Sequence, residues 1–258
     1  MFADRRVFDL SHPLDPAMPI SPNHPGYRMA LLRRHGDMVR PDGGSAANEL
    51  IVLGGHTGTH LDGLAHVSHD GKLHGGIDAE AVQRGGRFSE LGAETIAPIV
   101  TSGVLLDVAR LHGVETLPAT HAITADELGA AAQGVTIPPG SAILVRSGWA
   151  RHWADPARYV GHDSGAPGVD LGGAAWLADR EPRVVAHDSM AFELIPAGAG
   201  HRVMPVHGLL LVQHGIHIIE NVDLEELAAA RAYEFGFVCL PLRFVGATGS
   251  PVRPVAIV

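Results

Sequence analysis

Two imidazoles and a carboxylate fall within a seven-residue stretch of Gly54-Gly55-His56-Thr57-Gly58-Thr59-His60-Leu61-Asp62-Gly63-Leu64-Ala65-His66. His56, His60 and Asp62 thus offer N, N and O donors, which a divalent cation takes at roughly 2.0–2.2 Å. A helix would set the two imidazoles side by side but turn Asp62 away. A flat strand would put all three on one face with the imidazoles about 13 Å apart, at roughly 3.3 Å per residue. A sharp bend brings them together, and Gly54, Gly55, Gly58 and Gly63 supply the permissive backbone. The ligands are therefore expected on a turn after a strand over 50–53. His66 lies four residues past Asp62 and shares a face with it if the chain turns helical there. That leaves an imidazole beside the ion, placed to act as general base.

A second segment runs from His207 through Gln213-His214-Gly215-Ile216-His217 to Glu220-Asn221. Glu220 ends an apolar run, and a buried carboxylate needs a cation or several donors. A metal is one such partner; capping the helix expected after Asp223 is the other. His214 and His217 have opposite strand parity, and His217, alternating with apolar neighbours, reads as structural. The chain has no G-x-S-x-G elbow, phosphate-binding loop or H-E-x-x-H pair. The Gly246-Ala247-Thr248-Gly249-Ser250 turn lacks the lysine of a phosphate loop and reads as tight backbone packing. Three ligands from one loop leave coordination positions open to water, which favours catalysis over a closed structural site. The donor set suits Zn²⁺ or Mn²⁺. The rival readings are a metal-binding protein without catalysis, and a cyclase or lyase that uses the same ion to stabilise an enolate.

The elements that must hold these residues interleave. Strand-like runs recur over 50–53, 103–108, 142–146, 183–186, 208–212, 216–219 and 235–240. Thr124-Ala125-Asp126-Glu127 forms a capping box for a helix to about Gln133, and Asp223-Leu224-Glu225-Glu226 a similar start for one to about Tyr233. A third helix is expected over 172–180. Strands alternating with helices indicate an α/β layered fold, and one domain over 1–258 is expected, with parallel strand order left open.

Composition narrows the class. A net charge of −9 lacks the basic balance of a nucleic-acid binder. No apolar run reaches the length of a membrane span. The start of the chain lacks the apolar core of a secretory leader, so a cytoplasmic address is expected. The single cysteine, Cys239, lies in an apolar run and reads as a buried inert thiol. With 17 histidines, position matters more than number.

The pattern His56-Thr57-Gly58-Thr59-His60-Leu61-Asp62 with His66 four residues on resembles the signature of the cyclase-like metal hydrolases, which include bacterial kynurenine formamidases and isatin hydrolases. The resemblance extends through Phe8-Asp9-Leu10-Ser11-His12-Pro13-Leu14, Ser147-Gly148-Trp149, His207 to Asn221, and Leu240-Pro241-Leu242-Arg243 with Gly246 to Val252. It implies a swivelling β/β/α fold with one or two divalent ions. His56, His60 and Asp62 would hold the first, Asp62 would bridge to a second held by His207 and Glu220, and His66 would move protons. It also implies a small amide or lactam substrate, with Trp149 and Trp153 as candidate apolar walls, and a homo-oligomer (dimer or tetramer). Departures at Ser21-Pro22-Asn23 and Gly63-Leu64 point away from the formamidase branch, and segments over 70–76 and 150–168 are more similar to the broader cyclase and isatin-hydrolase branch.

Overall fold

The computed structural model describes residues 4–200 and 202–258, so the first three residues of the start expected to lack a leader lie outside the described residues. Nine strands form one mixed sheet. Their order is Val7–Asp9, Val255–Ile257, Glu234–Cys239, Ile99–Asp107, Ala142–Arg146, Val184–His187, His217–Glu220, His60–Asp62 and Gly249–Pro251. The four strands from Ile99–Asp107 to His217–Glu220 are parallel neighbours. The strands on either side of them pair antiparallel.

Side-chain alternation along the parallel strands divides the interior in two. Leu105, Leu144, Ala186 and Ile219 face a core completed by Phe8, Leu224, Leu227 and Phe237. Val104, Ile143, Val185 and Ile218 face the other way, against Leu128 and Leu177 from the helices and Leu210 and Leu211. Strands buried on both faces read as continuous apolar runs, and these do. Thr124 caps the helix Ala125–Ala131 with both bonds of the expected capping box present. The helix Leu171–Ala178 begins at the Asp170 cap.

Several expectations need correction. The run over 208–212 is no strand. Gly208–His214 forms a wide π-type helical turn continuing Pro205–His207, with Pro at its start and Gly215 in the left-handed region at φ 66° as its stop. A short apolar run suits helix or strand equally, and these flanking residues decide it. The helix after Asp223 starts only at Glu225 and is capped by Leu224, without a side-chain cap. Asp223 instead accepts the Glu225 N–H at 3.1 Å. The chain around His66 is a turn, not a helix, closed by the His66 N–H to the Gly63 carbonyl. The strand Asn48–Val52 belongs to a separate two-stranded hairpin with Arg28–Arg33, whose residues are all exposed.

Candidate metal centre

Strand register builds the centre. His60–Asp62 pairs antiparallel with His217–Glu220 so that His60 lies opposite Glu220 and Asp62 opposite Ile218. Residues directly opposite in a ladder share a face, and so do residues two apart on one strand. His60, Asp62 and Glu220 therefore project together, all buried. His60 Nε2 lies 3.4 Å from both Asp62 Oδ1 and Glu220 Oε2. His207, at the start of the π-type turn, brings Nε2 to 3.1 Å from Glu220 Oε1 and 3.5 Å from Asp62 Oδ2. His56 comes from the glycine turn and pairs Nδ1 with Asp62 Oδ1 at 2.7 Å. His66 stacks on His56 with ring centroids 3.9 Å apart.

A second layer fixes the rings. The Gly58 carbonyl accepts from His60 Nδ1 at 2.8 Å, which leaves Nε2 free to face the carboxylates. Asn221 Nδ2 donates to the same carbonyl and Thr59 donates its hydroxyl proton to the Asn221 carbonyl, locking the turn to the end of the neighbouring strand. Gly58 itself sits at φ 62°, where a side chain would also strike Leu14. Glu193 binds His207 Nδ1 and accepts the N–H groups of Val206 and His207. Thr248 Oγ1 meets His56 Nε2 at 2.9 Å. Carboxylate or carbonyl partners behind histidines are how metal-ligating imidazoles are usually oriented.

Electrostatics bear on whether an ion fits. Burial raises Asp62, yet the four histidines around it hold it well below the usual carboxylate range. Burial and the neighbouring Asp62 raise Glu220, but His207 and His60 leave it below its ordinary value. Burial would lower His60, but Asp62 and Glu220 push it up to about 9. His207 is held well above its usual range by Asp62, Glu193 and Glu220 against burial. Burial takes His66 the other way, down to about 4, with His56 and His207 opposing the pull of Asp62. Asp62 and Glu220 are thus held toward their ionised forms by His60 and His207, whose protons occupy places a divalent cation could take. Asp62 Oδ2 is buried without a hydrogen-bond partner. Donor atoms of His56, Asp62 and His66, and of His60, Asp62 and Glu220, lie within 4.8 Å of one another in each group. The residues fit a divalent cation.

The structure brings together His56, His60, Asp62, His66, His207 and Glu220, though not all from one bend. His56 alone sits on the turn, while His60 and Asp62 use ordinary strand parity. Glu220 caps no helix; it accepts the Phe192 N–H at 3.0 Å and faces the two imidazoles. A cleft of roughly 210 Å³ opens over the cluster, lined also by Ser21, Asn23, His24, Met190 and Met204. Trp149 and Trp153 do not line it. Trp149 is buried and donates Nε1–H to the Tyr159 carbonyl, and Trp153 stacks on His12 at 3.9 Å. Both belong to the small core that includes Met190, so they stand behind the wall. Sequence reasoning missed Glu193, Thr248 and His24. A lone carboxylate inside the apolar run Met190-Ala191-Phe192-Glu193-Leu194-Ile195 was the available signal for Glu193.

The layered sheet carries a buried histidine–carboxylate cluster on an α/β scaffold, with a donor set that fits a divalent cation. The chain belongs to the cyclase family, whose sequence profile, described as Cyclase, matches residues 8–194. It is 24% identical to the kynurenine formamidase of Delftia acidovorans over 253 residues, 97% of each chain. A crystal structure of a novel cyclase superposes with a TM-score of 0.88 at 28% identity, over 99% of this chain and 89% of that one. Isatin hydrolase A from Ralstonia solanacearum shares the fold, with a TM-score of 0.75 at 22% identity, over 99% of this chain and 92% of its own. Membership of this family supports a metal-dependent hydrolase.

Proposed function

We propose that the chain hydrolyses the C–N bond of a small cyclic or N-acyl amide, with opening of a lactam ring favoured, using a Zn²⁺ or Mn²⁺ held by His56, His60, Asp62, His207 and Glu220. The observation that carries this is Asp62, one oxygen turned to His56 and His60 and the other to His207. A cation bound there would supply Lewis acidity to a carbonyl oxygen and lower the pKa of water. His66 lies beside Asp62 without sharing the strand ladder, and burial takes its pKa down to about 4. It is placed to accept the proton of the attacking water and to return it to the leaving nitrogen. Met190 and Met204 give the cleft apolar walls, and its small volume suits a compact substrate.

The formamidase relative supports a second reading, hydrolysis of an N-formyl aryl amide. Metal analysis followed by assay against fused-ring lactams and N-formyl anilides separates the two. Turnover of lactams above formamides supports the first reading, the reverse order supports the second, and metal-loaded protein inert to both would sink the hydrolase. A homo-oligomer is also proposed. The isolated hairpin carries Met29, Leu31, Leu32, Leu50, Ile51 and Val52, each at least 45% exposed, and a lone two-stranded hairpin is marginal in water.

A further inference from the structure

Another group of metal-type donors lies in the helical layer, among residues that do not line the cleft. His112 follows the helix Val108–Leu111, His121 precedes the strand Ala122–Ile123, and Glu127 sits in the helix Ala125–Ala131. Both imidazoles aim Nε2 at a single oxygen, Glu127 Oε1, at 2.5 Å from His112 and 2.8 Å from His121. The other oxygen, Oε2, is occupied by the capping box, taking the Thr124 N–H at 2.8 Å and its hydroxyl at 3.0 Å. The two rings meet edge-on with centroids 5.0 Å apart. The carboxylate is thereby divided: one oxygen anchors the helix start, and the other is presented to two histidines.

We propose that His112, His121 and Glu127 form a second, solvent-facing site for a borderline divalent cation of the Zn²⁺ type. The three donor atoms lie within 4.8 Å of one another, and an N, N, O set is what zinc, nickel and copper take from protein side chains. Among the described residues, neither Nδ1 has a hydrogen-bond partner in the protein. The imidazole proton can therefore sit on Nδ1 and leave the Nε2 lone pair for the ion. Donors about 3.4 Å apart surround a tetrahedral ion with bonds of roughly 2.0–2.2 Å. Both imidazoles must withdraw to reach that spacing, His112 further than His121, and with side chains 39% and 22% exposed they have the room. Water completes the shell on the open side. On binding, each imidazolium present releases one proton, and each neutral ring moves its proton to Nδ1, so the charge balances through solvent. The ion would tie the end of one helix to the next across the loop between them, stabilising the folded state by mass action.

The test uses the holoenzyme, its own metal in place, dialysed against about 10 µM free Zn²⁺, a concentration at which a site with micromolar Kd fills appreciably. Wild type is expected to hold one zinc per chain more than His112→Ala, His121→Ala or Glu127→Gln, and to melt several degrees higher with zinc than without. Glu127→Gln retains a capping partner for Thr124, since glutamine serves at that position, so its fold is preserved while the anionic ligand is lost. Turnover and far-ultraviolet circular dichroism of all three variants should match wild type. Equal zinc content in wild type and the folded variants overturns the proposal, as does a zinc-induced rise in Tm that survives all three substitutions.

Discussion

Removing the His66 imidazole separates proton transfer from ion binding. His66→Ala is expected to keep its metal and fold while kcat falls by about 10²–10⁴, the usual contribution of a positioned general base. Asp62→Asn should lose metal and activity together, because both halves of the cluster meet at that carboxylate. Metal loss in His66→Ala equal to that in His60→Ala would make His66 a ligand, which its place in the His56–Asp62 group allows. His60 makes ion binding pH-dependent. Its pKa of about 9 in the metal-free protein means that a proton must leave before the ion enters at neutral pH. Affinity should therefore climb from pH 6 toward 9, with protons released on binding; calorimetry in buffers of different ionisation enthalpy reads this directly. The metal-free fold follows the same linkage. The raised His60 stabilises it below pH 6.5, and that contribution disappears as pH rises through 9. The depressed His66 costs stability as pH falls from 6.5 through 4. Behind the ligands, Glu193→Gln should weaken metal affinity by about 10–100-fold, as loss of an orienting partner usually does.

At the scale of elements, the centre depends on one register and one close approach. A one-residue slip of His60–Asp62 against its neighbour would turn His60 and Asp62 away from Glu220. The other neighbour, Gly249–Pro251, must come near enough for His56 to fit over it. A Cβ on Gly249 would stand 2.6 Å from His56 Cε1 and 2.8 Å from the Leu61 carbonyl oxygen. Gly249→Ala is accordingly expected to lower metal occupancy and to cost about 1–3 kcal/mol of stability, the usual range for overpacking. Elemental analysis and thermal melting check both. A variant with full metal and unchanged Tm would show that the turn yields. The Gly246–Ser250 turn was legible in the sequence as tight packing, but its partner, His56, was not. The two lie far apart in the chain, and only the sheet brings them together.

For the whole molecule, the exposed hairpin is the feature a solitary chain least explains. Eight large apolar residues over 29–52, including Met38 and Val39 at its tip, are at least 45% exposed. If a second copy covers them, light scattering at micromolar concentration should give a dimer or larger, and Leu32→Asp with Ile51→Asp should give a folded monomer. A monomeric wild type would sink the proposal. Cys239 offers a simpler check on packing. Burial pushes its thiol up to about 12, so it should resist alkylation at pH 8 in the folded protein and react once the chain is unfolded.

The local pattern determined what is local. Four glycines among two histidines and an aspartate marked a candidate ion site, because ligand chemistry and backbone freedom are both written in short range. Apolar runs marked the parallel strands, and the Thr124 capping box marked its helix, since its two bonds span only three residues. Tertiary structure decided which distant groups meet. Burial of Glu220 called for a counter-charge, but only the antiparallel register opposite His60 chose metal-type donors over a helix cap. The run over 208–212 had no periodicity to separate strand from helix, and Pro205, Gly215 and the packing of Leu210 and Leu211 settled it as helical. That outcome, with Glu193 reaching across from another loop, is what turns His207 toward Asp62.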